Sequence, residues 1–305
     1  LNKKPKTNLA ASVRARLLKL NEGTGQDYNT VLTRYCIERL LYRLSVSKHR
    51  DKFILKGAML FTVWQGSPHR QTRDLDLLGF GDSSQAALKD VFRVFCNQAV
   101  DDDGVTFDSE AVSAGAIRED AEYGGVRVKI IAHIGEARIP LQVDVGFGDA
   151  LTPQPQEESY PCLLDMPVPV LRCYARETVV AEKLAAIIKL GDINTRFKDY
   201  FDLLFLSERF DFDGSLLREA IEATLKRRGW LDIATAKPDG LLESFGTDPV
   251  RSKQWAGFCE KSKLAESRSL AEVVQRVAAF VISPLQAITK ATTFTQRWMA
   301  GGPWK

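Results

Sequence analysis

Histidine is scarce in this chain: only His49, His69 and His133 occur among 305 residues, which argues against histidine-centred catalysis. The five cysteines, Cys36, Cys96, Cys162, Cys173 and Cys259, are scattered, odd in number and contain no Cys-x-x-Cys pair. That spacing argues against a zinc site and a disulfide frame, and for reduced thiols acting mostly as core fillers in a cytoplasmic protein. There is no internal repeat, no low-complexity tract and no visible signal peptide, although the chain starts at Leu1. Long apolar runs are missing too. The best candidate, Leu270 to Ile288, contains Glu272, Gln275, Arg276 and Pro284. It reads as an amphipathic helix that Pro284 breaks, so no membrane partner is expected.

What is present fits a soluble globular protein. Apolar content of 45% and charged content of 27% are ordinary, and the length suffices for two domains or one large one. The net charge of +3 is unevenly spread. Residues 1–50 carry a balance of +8, residues 101–165 one of −10, and residues 221–305 one of +5. Basic ends around an acidic middle fit a metal-bearing site flanked by surfaces for a polyanion. Two solvated helical faces would give the same numbers.

Periodicity predicts an α+β protein. Residues 1–7 are polar and read as frayed. Helical spacing covers 8–20 and 27–46, a helix, turn and strand fit 57–80, and 84–99 is helical. From 105 to 147 the chain alternates, with turns at Gly124-Gly125 and Gly135-Glu136, and reads as a meander ending on Asp144. Residues 150–170, rich in Pro, Glu and Gln, read as a connector, and most of the chain from 177 onward reads as helix. The division expected is a helical segment (1–50), a mixed-sheet core (51–170) and a helical C-terminal domain (171–305).

The most informative run is Arg70-Gln71-Thr72-Arg73-Asp74-Leu75-Asp76-Leu77-Leu78-Gly79, which reads as a strand. Asp74 and Asp76 then share one face, with Arg70 and Thr72 beside them if the strand starts that early, while Leu75 and Leu77 face a core. Two carboxylates this close disfavour each other's ionisation. A hard cation with oxygen ligands, Mg²⁺ or Mn²⁺, removes that conflict. Upstream lies the small-residue turn Lys56-Gly57-Ala58. Downstream, Asp144 is centred in the alternating strand Leu141-Gln142-Val143-Asp144-Val145. Asp-x-Asp alone is weak evidence, since a turn, a cap or a solvated strand end gives the same pair.

Further on, a helix from Thr178 to Leu190 places Val179, Val180, Leu184, Ile187, Ile188 and Leu190 on one apolar arc. Lys183 falls inside that arc, while Glu182 and Lys189 lie opposite and should be solvated. An inward Lys needs a partner or a site. The next helix, about Thr195 to Glu208, is apolar on most sides. Asp199 and Asp202, at i and i+3, share one side of it, and Lys183 is their candidate partner. A structural ion pair between helices explains Asp202 about as well as a ligand site does.

The turn, the Asp-x-Asp strand and the later acid together resemble the catalytic core of polymerase-β-like nucleotidyltransferases. The 17 residues from Gly57 to Asp74 are on the long side for that pattern, and Ala58 stands where a second Gly or a Ser is usual. Tyr28-Asn29-Thr30-Val31-Leu32, Phe53-Ile54-Leu55-Lys56-Gly57-Ala58-Met59-Leu60-Phe61, Glu182-Lys183-Leu184 and Arg196-Phe197-Lys198-Asp199-Tyr200-Phe201-Asp202-Leu203 extend the likeness. With the Asp-x-Asp run, the chain resembles the AbiEii/AbiGii-type toxins of type IV toxin–antitoxin systems, MenT toxins included, over roughly Asn21 to Leu206.

The resemblance implies a two-lobed bacterial nucleotidyltransferase that acts on RNA, tRNA acceptor ends among its targets, beside a separately encoded antitoxin. It implies metal binding by Asp74, Asp76 and Asp144, and catalytic roles for Asp74, Asp76, Lys183 and Asp199. It also implies nucleotide contact by the Gly57-Ala58 turn and Lys183, and NTP contacts are expected as well from Lys56, Arg70, Thr72 and Asp202. Two rival readings stay open: nucleotidyl transfer to a protein or small molecule, and a catalytically dead nucleic-acid or antitoxin-binding module, which Ala58 favours.

Overall fold

A computed structural model describes residues 8–117, 125–234, 237–264 and 268–305. The expectations for residues 1–7 and for Gly124 lie outside the described residues. The chain forms two compact units. One comprises Leu1–Pro68, Thr72–Gly148 and Gln156–Cys173; the other comprises His69–Gln71, Asp149–Pro155 and Tyr174–Lys305.

In the first unit the order is α1 (Leu9–Asn21), α2 (Tyr28–Ser45), β1 (Phe53–Lys56), α3 (Leu60–Gln65), β2 (Asp74–Gly79), α4 (Gln85–Cys96), β3 (Thr106–Ala116), β4 (Val126–Ile134), β5 (Ala137–Phe147), β6 (Gln156–Ser159) and β7 (Val170–Cys173). The strands form one mixed sheet in the order β3-β4-β5-β2-β1-β7-β6. β2 pairs antiparallel with β1 and parallel with β5, and β1 pairs parallel with β7. Alternation sorts the two sheet faces. Leu55, Leu75, Leu77, Val128, Ile130, Val143 and Val145 are all buried, and α2 and α4 pack against the sheet. The 150–170 segment, read as a connector, contains β6. Its Gln156-Glu157-Glu158-Ser159 sequence has no apolar alternation because it is an edge strand, where charge blocks further pairing.

α2 starts at an N-cap, Asp27, whose side chain accepts from the Asn29 N–H, and it is buried on most sides. Two of its arginines are core residues. Arg43 Nη1 and Nη2 donate to Asp103 Oδ2 and Oδ1 at 2.6 and 3.1 Å. Arg39 is fully buried, 2.8 Å from Glu38 Oε1, and donates to the Pro167 carbonyl at 3.0 Å. Part of the basic excess in residues 1–50 is therefore internal and not available to a polyanion.

The second unit holds α5 (Arg176–Leu190), α6 (Phe197–Arg209), β8 (Phe212–Asp213), α7 (Gly214–Arg227), α8 (Glu243–Thr247), α9 (Pro249–Lys261), α10 (Leu270–Thr289) and β9 (Arg297–Trp298). α5 packs on α6 and α7, and α10 packs on α6, α7 and α8. α10 is long and apolar enough by length and composition to cross a membrane; here Val273, Val277, Phe280, Val281 and Leu285 are core residues of this unit.

Pro284 does not break α10, contrary to the sequence expectation. A helical proline leaves the carbonyl four residues earlier without its usual donor. That carbonyl is Phe280, and the Trp304 indole Nε1–H donates to it at 2.8 Å. The indole of Trp304 also stacks on the Phe280 ring. We predict that Trp304→Phe lowers unfolding free energy by about 1–3 kcal/mol, the cost of an unsatisfied buried acceptor. Thermal unfolding of the two proteins checks this.

Candidate active site

The carboxylate strand behaves as its alternation predicts from Asp74 onward. Asp74 is exposed, Asp76 half-buried, and Leu75 and Leu77 are buried. The strand does not begin at Arg70, however. Residues 70–73 are not extended in the sheet, and Arg70 bonds instead to Asp202 of the second unit, to which residues 69–71 belong. Thr72 donates weakly to the Asp74 carbonyl at 3.4 Å.

Across the β1–β2 pair, Lys56 stands opposite Asp76. Directly after Lys56 the chain turns through Gly57, at φ +74°, into a 3₁₀ turn (Gly57–Met59) and then α3. A Cβ on Gly57 would lie 2.1 Å from Asp76 Oδ2, so only glycine lets this turn reach the carboxylate. The left-handed φ demands glycine independently. Ala58 is buried. Gly57→Ala is expected to abolish transfer and to lower the melting temperature, because the new methyl must displace Asp76 or the turn. Activity and thermal unfolding of that variant, measured together, check it.

Asp144 also reaches this face. β2 and β5 set Asp76 beside Asp144, and β4 and β5 set Arg127 beside Asp144. Arg127 Nε and Nη2 donate to Asp144 Oδ1 and Oδ2, each at 2.8 Å. Arg127 was not among the residues singled out from the sequence, yet it was findable. Counting back equally from the Gly135-Glu136 turn pairs Ile134 with Ala137 and Arg127 with Asp144.

In the second unit, α5 and α6 bring Lys183, Asp199 and Asp202 together. Lys183 Nζ lies 3.0 Å from Asp199 Oδ1 and 2.6 Å from Asp202 Oδ2. Arg70 holds Asp202 through Nε and Nη2 at 2.7 and 3.0 Å. His69 Nε2 lies 2.6 Å from Asp202 Oδ1, its ring stacked on Phe201. Arg196 Nε donates to Asp199 Oδ2 at 2.8 Å. His69 and Arg196 were not anticipated, because nothing in a single sequence ties His69 to an acid 133 residues on. Lys189 is exposed, over the Trp230 ring, as the wheel predicts. Glu182 is not solvated as predicted: it is partly buried, 3.7 Å from Arg228.

The electrostatics of this cluster follow from burial set against partners. Burial opposes ionisation of Asp202, yet Lys183 and Arg70, with hydrogen bonds from His69 and Arg70, hold it well below the usual carboxylate range. Asp199 is lowered against the same burial by Lys183 and Arg196. Burial disfavours the Lys183 ammonium, but Asp202 and Asp199 outweigh it and raise its pKa. Lys183, Arg70 and Arg196 thus surround the two carboxylates.

His69 is lowered from 6.5, since burial exceeds the pull of Asp202. The unfolded chain therefore takes up this proton before the folded one does, and stability falls as pH drops below 6.5. The two aspartates act in a different window: their contribution persists until pH falls below about 3.9, the unfolded value. We expect His69→Gln to flatten the pH dependence of the melting temperature between pH 7 and 5 relative to wild type. Parallel curves would contradict the burial argument.

The donor set near Asp76 fits Mg²⁺ or Mn²⁺. Asp74 and Asp76 offer hard oxygen ligands from one strand face, and Asp76 packs directly against the Gly57 turn. Among the described residues no group of three His, Cys, Asp or Glu side chains forms a ready cage. Mg²⁺ is commonly held by one or two carboxylates plus substrate phosphates, so two suffice.

A mixed sheet with an Asp-x-Asp strand beside a glycine turn belongs to the nucleotidyl-transfer class of site. The sequence profile described as "Nucleotidyl transferase AbiEii toxin, Type IV TA system" matches residues 39–278. The chain belongs to the AbiEii nucleotidyltransferase toxin family; it is a nucleotidyltransferase, and type IV systems pair such a toxin with a separate antitoxin. None of the curated proteins matches the chain. Two solved Helicobacter pylori structures are similar. JHP933 is 15% identical at a TM-score of 0.48, covering 88% of this chain and 94% of that one. A candidate nucleotidyltransferase is 13% identical at 0.47, covering 88% and 100%.

Proposed function

We propose that the chain transfers a nucleoside monophosphate from an NTP to RNA, with the 3′ acceptor end of a tRNA as the target. The acceptor 3′-oxygen forms a bond to the α-phosphorus, the bond from that phosphorus to the pyrophosphate oxygen breaks, and the hydroxyl proton leaves to solvent. Little covalent chemistry is asked of the protein; positioning and charge do most of the work. The observation that carries this reading is the packing of the Gly57 turn against Asp76, so close that a Cβ on Gly57 would lie 2.1 Å from Asp76 Oδ2, on the strand that carries the Asp-x-Asp pair.

In this reading Asp74 and Asp76 hold Mg²⁺ or Mn²⁺, with Lys56 and the Gly57-Ala58 turn on the nucleotide side and Thr72 ahead of the pair. When bound, the cation neutralises phosphate oxygens and the departing pyrophosphate. Within the second unit Asp199 and Asp202 hold Lys183 in its charged form, and Arg70 keeps Asp202 ionised. The exposed basic residues Arg14, Lys19, Lys48 and Arg50 of the first unit, and Lys198, Lys226 and Arg227 of the second, support a polyanionic acceptor.

The test is incubation with total bacterial RNA, Mg²⁺ and each α-labelled NTP in turn. Labelled RNA is expected with at least one nucleotide and none in EDTA. The labelling should weaken steeply with salt, because phosphate contacts release counterions. Label on protein in place of RNA would move the reading to a protein acceptor.

A further inference from the structure

We propose that Arg127 keeps Asp144 out of the metal's coordination shell, so that this chain runs a two-carboxylate metal site with the third acid of the sheet held in reserve. The inference rests on the metal reading of Asp74 and Asp76. Its basis is the order of side chains across three adjacent strands. Asp76, Asp144 and Arg127 are consecutive register partners on β2, β5 and β4, on strands about 4.8 Å apart. Asp144 thus stands between a carboxylate and a guanidinium, and it faces the guanidinium. Both of its oxygens accept from Arg127 at 2.8 Å. A forked, doubly charge-assisted pair is the strongest arrangement these groups make.

A cation drawing on Asp144 would have to break that fork, whose carboxylate is only 18% exposed. That cost opposes ligation. The ligand count agrees, since the described residues contain no converging group of three metal-ligating side chains. Arg127 is therefore a positioning residue: it touches neither metal nor nucleotide, and it sets how many carboxylates the cation meets. Weaker metal affinity keeps the ion dependent on the incoming triphosphate for its remaining ligands.

The test is calorimetric titration of the intact chain with Mn²⁺ alone. Arg127→Gln, which frees Asp144, is expected to tighten binding about tenfold. Asp144→Asn should match wild type within twofold, and the double variant should return to wild-type affinity. Binding in Asp144→Asn weakened tenfold or more would overturn the proposal, because Asp144 would then be a ligand already. Unchanged affinity in Arg127→Gln would overturn it as well. If Arg127→Gln does not fold, as judged by circular dichroism, the Asp144→Asn titration decides alone. Asp76→Asn is the separate control on the metal reading: binding retained there refutes the Asp74–Asp76 pair, whereas the role of Arg127 stands or falls on the other comparisons.

Discussion

Asp76→Ala is expected to cut nucleotidyl transfer by about a thousandfold or more while leaving the protein folded. A bound metal contributes several kcal/mol of charge stabilisation in the transition state, and each 1.36 kcal/mol is about tenfold in rate. Asp76 stands between Lys56 and Asp144 in the sheet register and against the Gly57 turn. Asp76 is half-buried near the start of a short strand, and the melting temperature should stay within a few degrees of wild type. Initial rates with saturating NTP, measured beside a thermal melt, check both halves. An unfolded protein, or activity within tenfold of wild type, would contradict this account of the site.

Asp202→Ala should act in the opposite way, with its main effect on stability. Asp202 is fully buried and meets three cationic or protonatable partners, Lys183, Arg70 and His69. Deleting one partner of a buried pair leaves the others desolvated and uncompensated, at a cost of about 3–5 kcal/mol. Lys183 keeps Asp199, whereas Arg70 loses both of its bonds to Asp202. Chemical denaturation of the variant gives the loss directly. Asp202→Asn, which keeps the shape and one acceptor, should recover part of it. A change below 1 kcal/mol would mean that the cluster does not hold the second unit together.

The parts of the fold that were legible in the sequence share one property: their burial follows from local periodicity. Leu75 and Leu77 alternate with Asp74 and Asp76, and the observed strand keeps that pattern. Lys183 falls inward on the same wheel that turns Lys189 out. The parts that were not legible depend on partners distant in sequence. Arg39 and Arg43 count as surface charge until Glu38 and Asp103 are known to meet them. β6 is hidden because an edge strand needs charge where an inner one needs apolar residues. Pro284 signals a helix end, yet the helix continues and Trp304, 20 residues on, donates to the Phe280 carbonyl that the proline leaves without its usual donor. Arg70 illustrates a register error: reading the strand four residues too early put it beside Asp74, when its partner is Asp202.

Expression of the chain in bacterial cells, beside Asp74→Ala at equal protein level, tests the central claim most directly, with 3′-end sequencing of the RNA as the readout. The account predicts that wild type slows growth and that RNA from those cells carries added 3′ nucleotides, with both effects gone in Asp74→Ala. Growth slowed equally by the two proteins, with unmodified RNA ends in both, would contradict it.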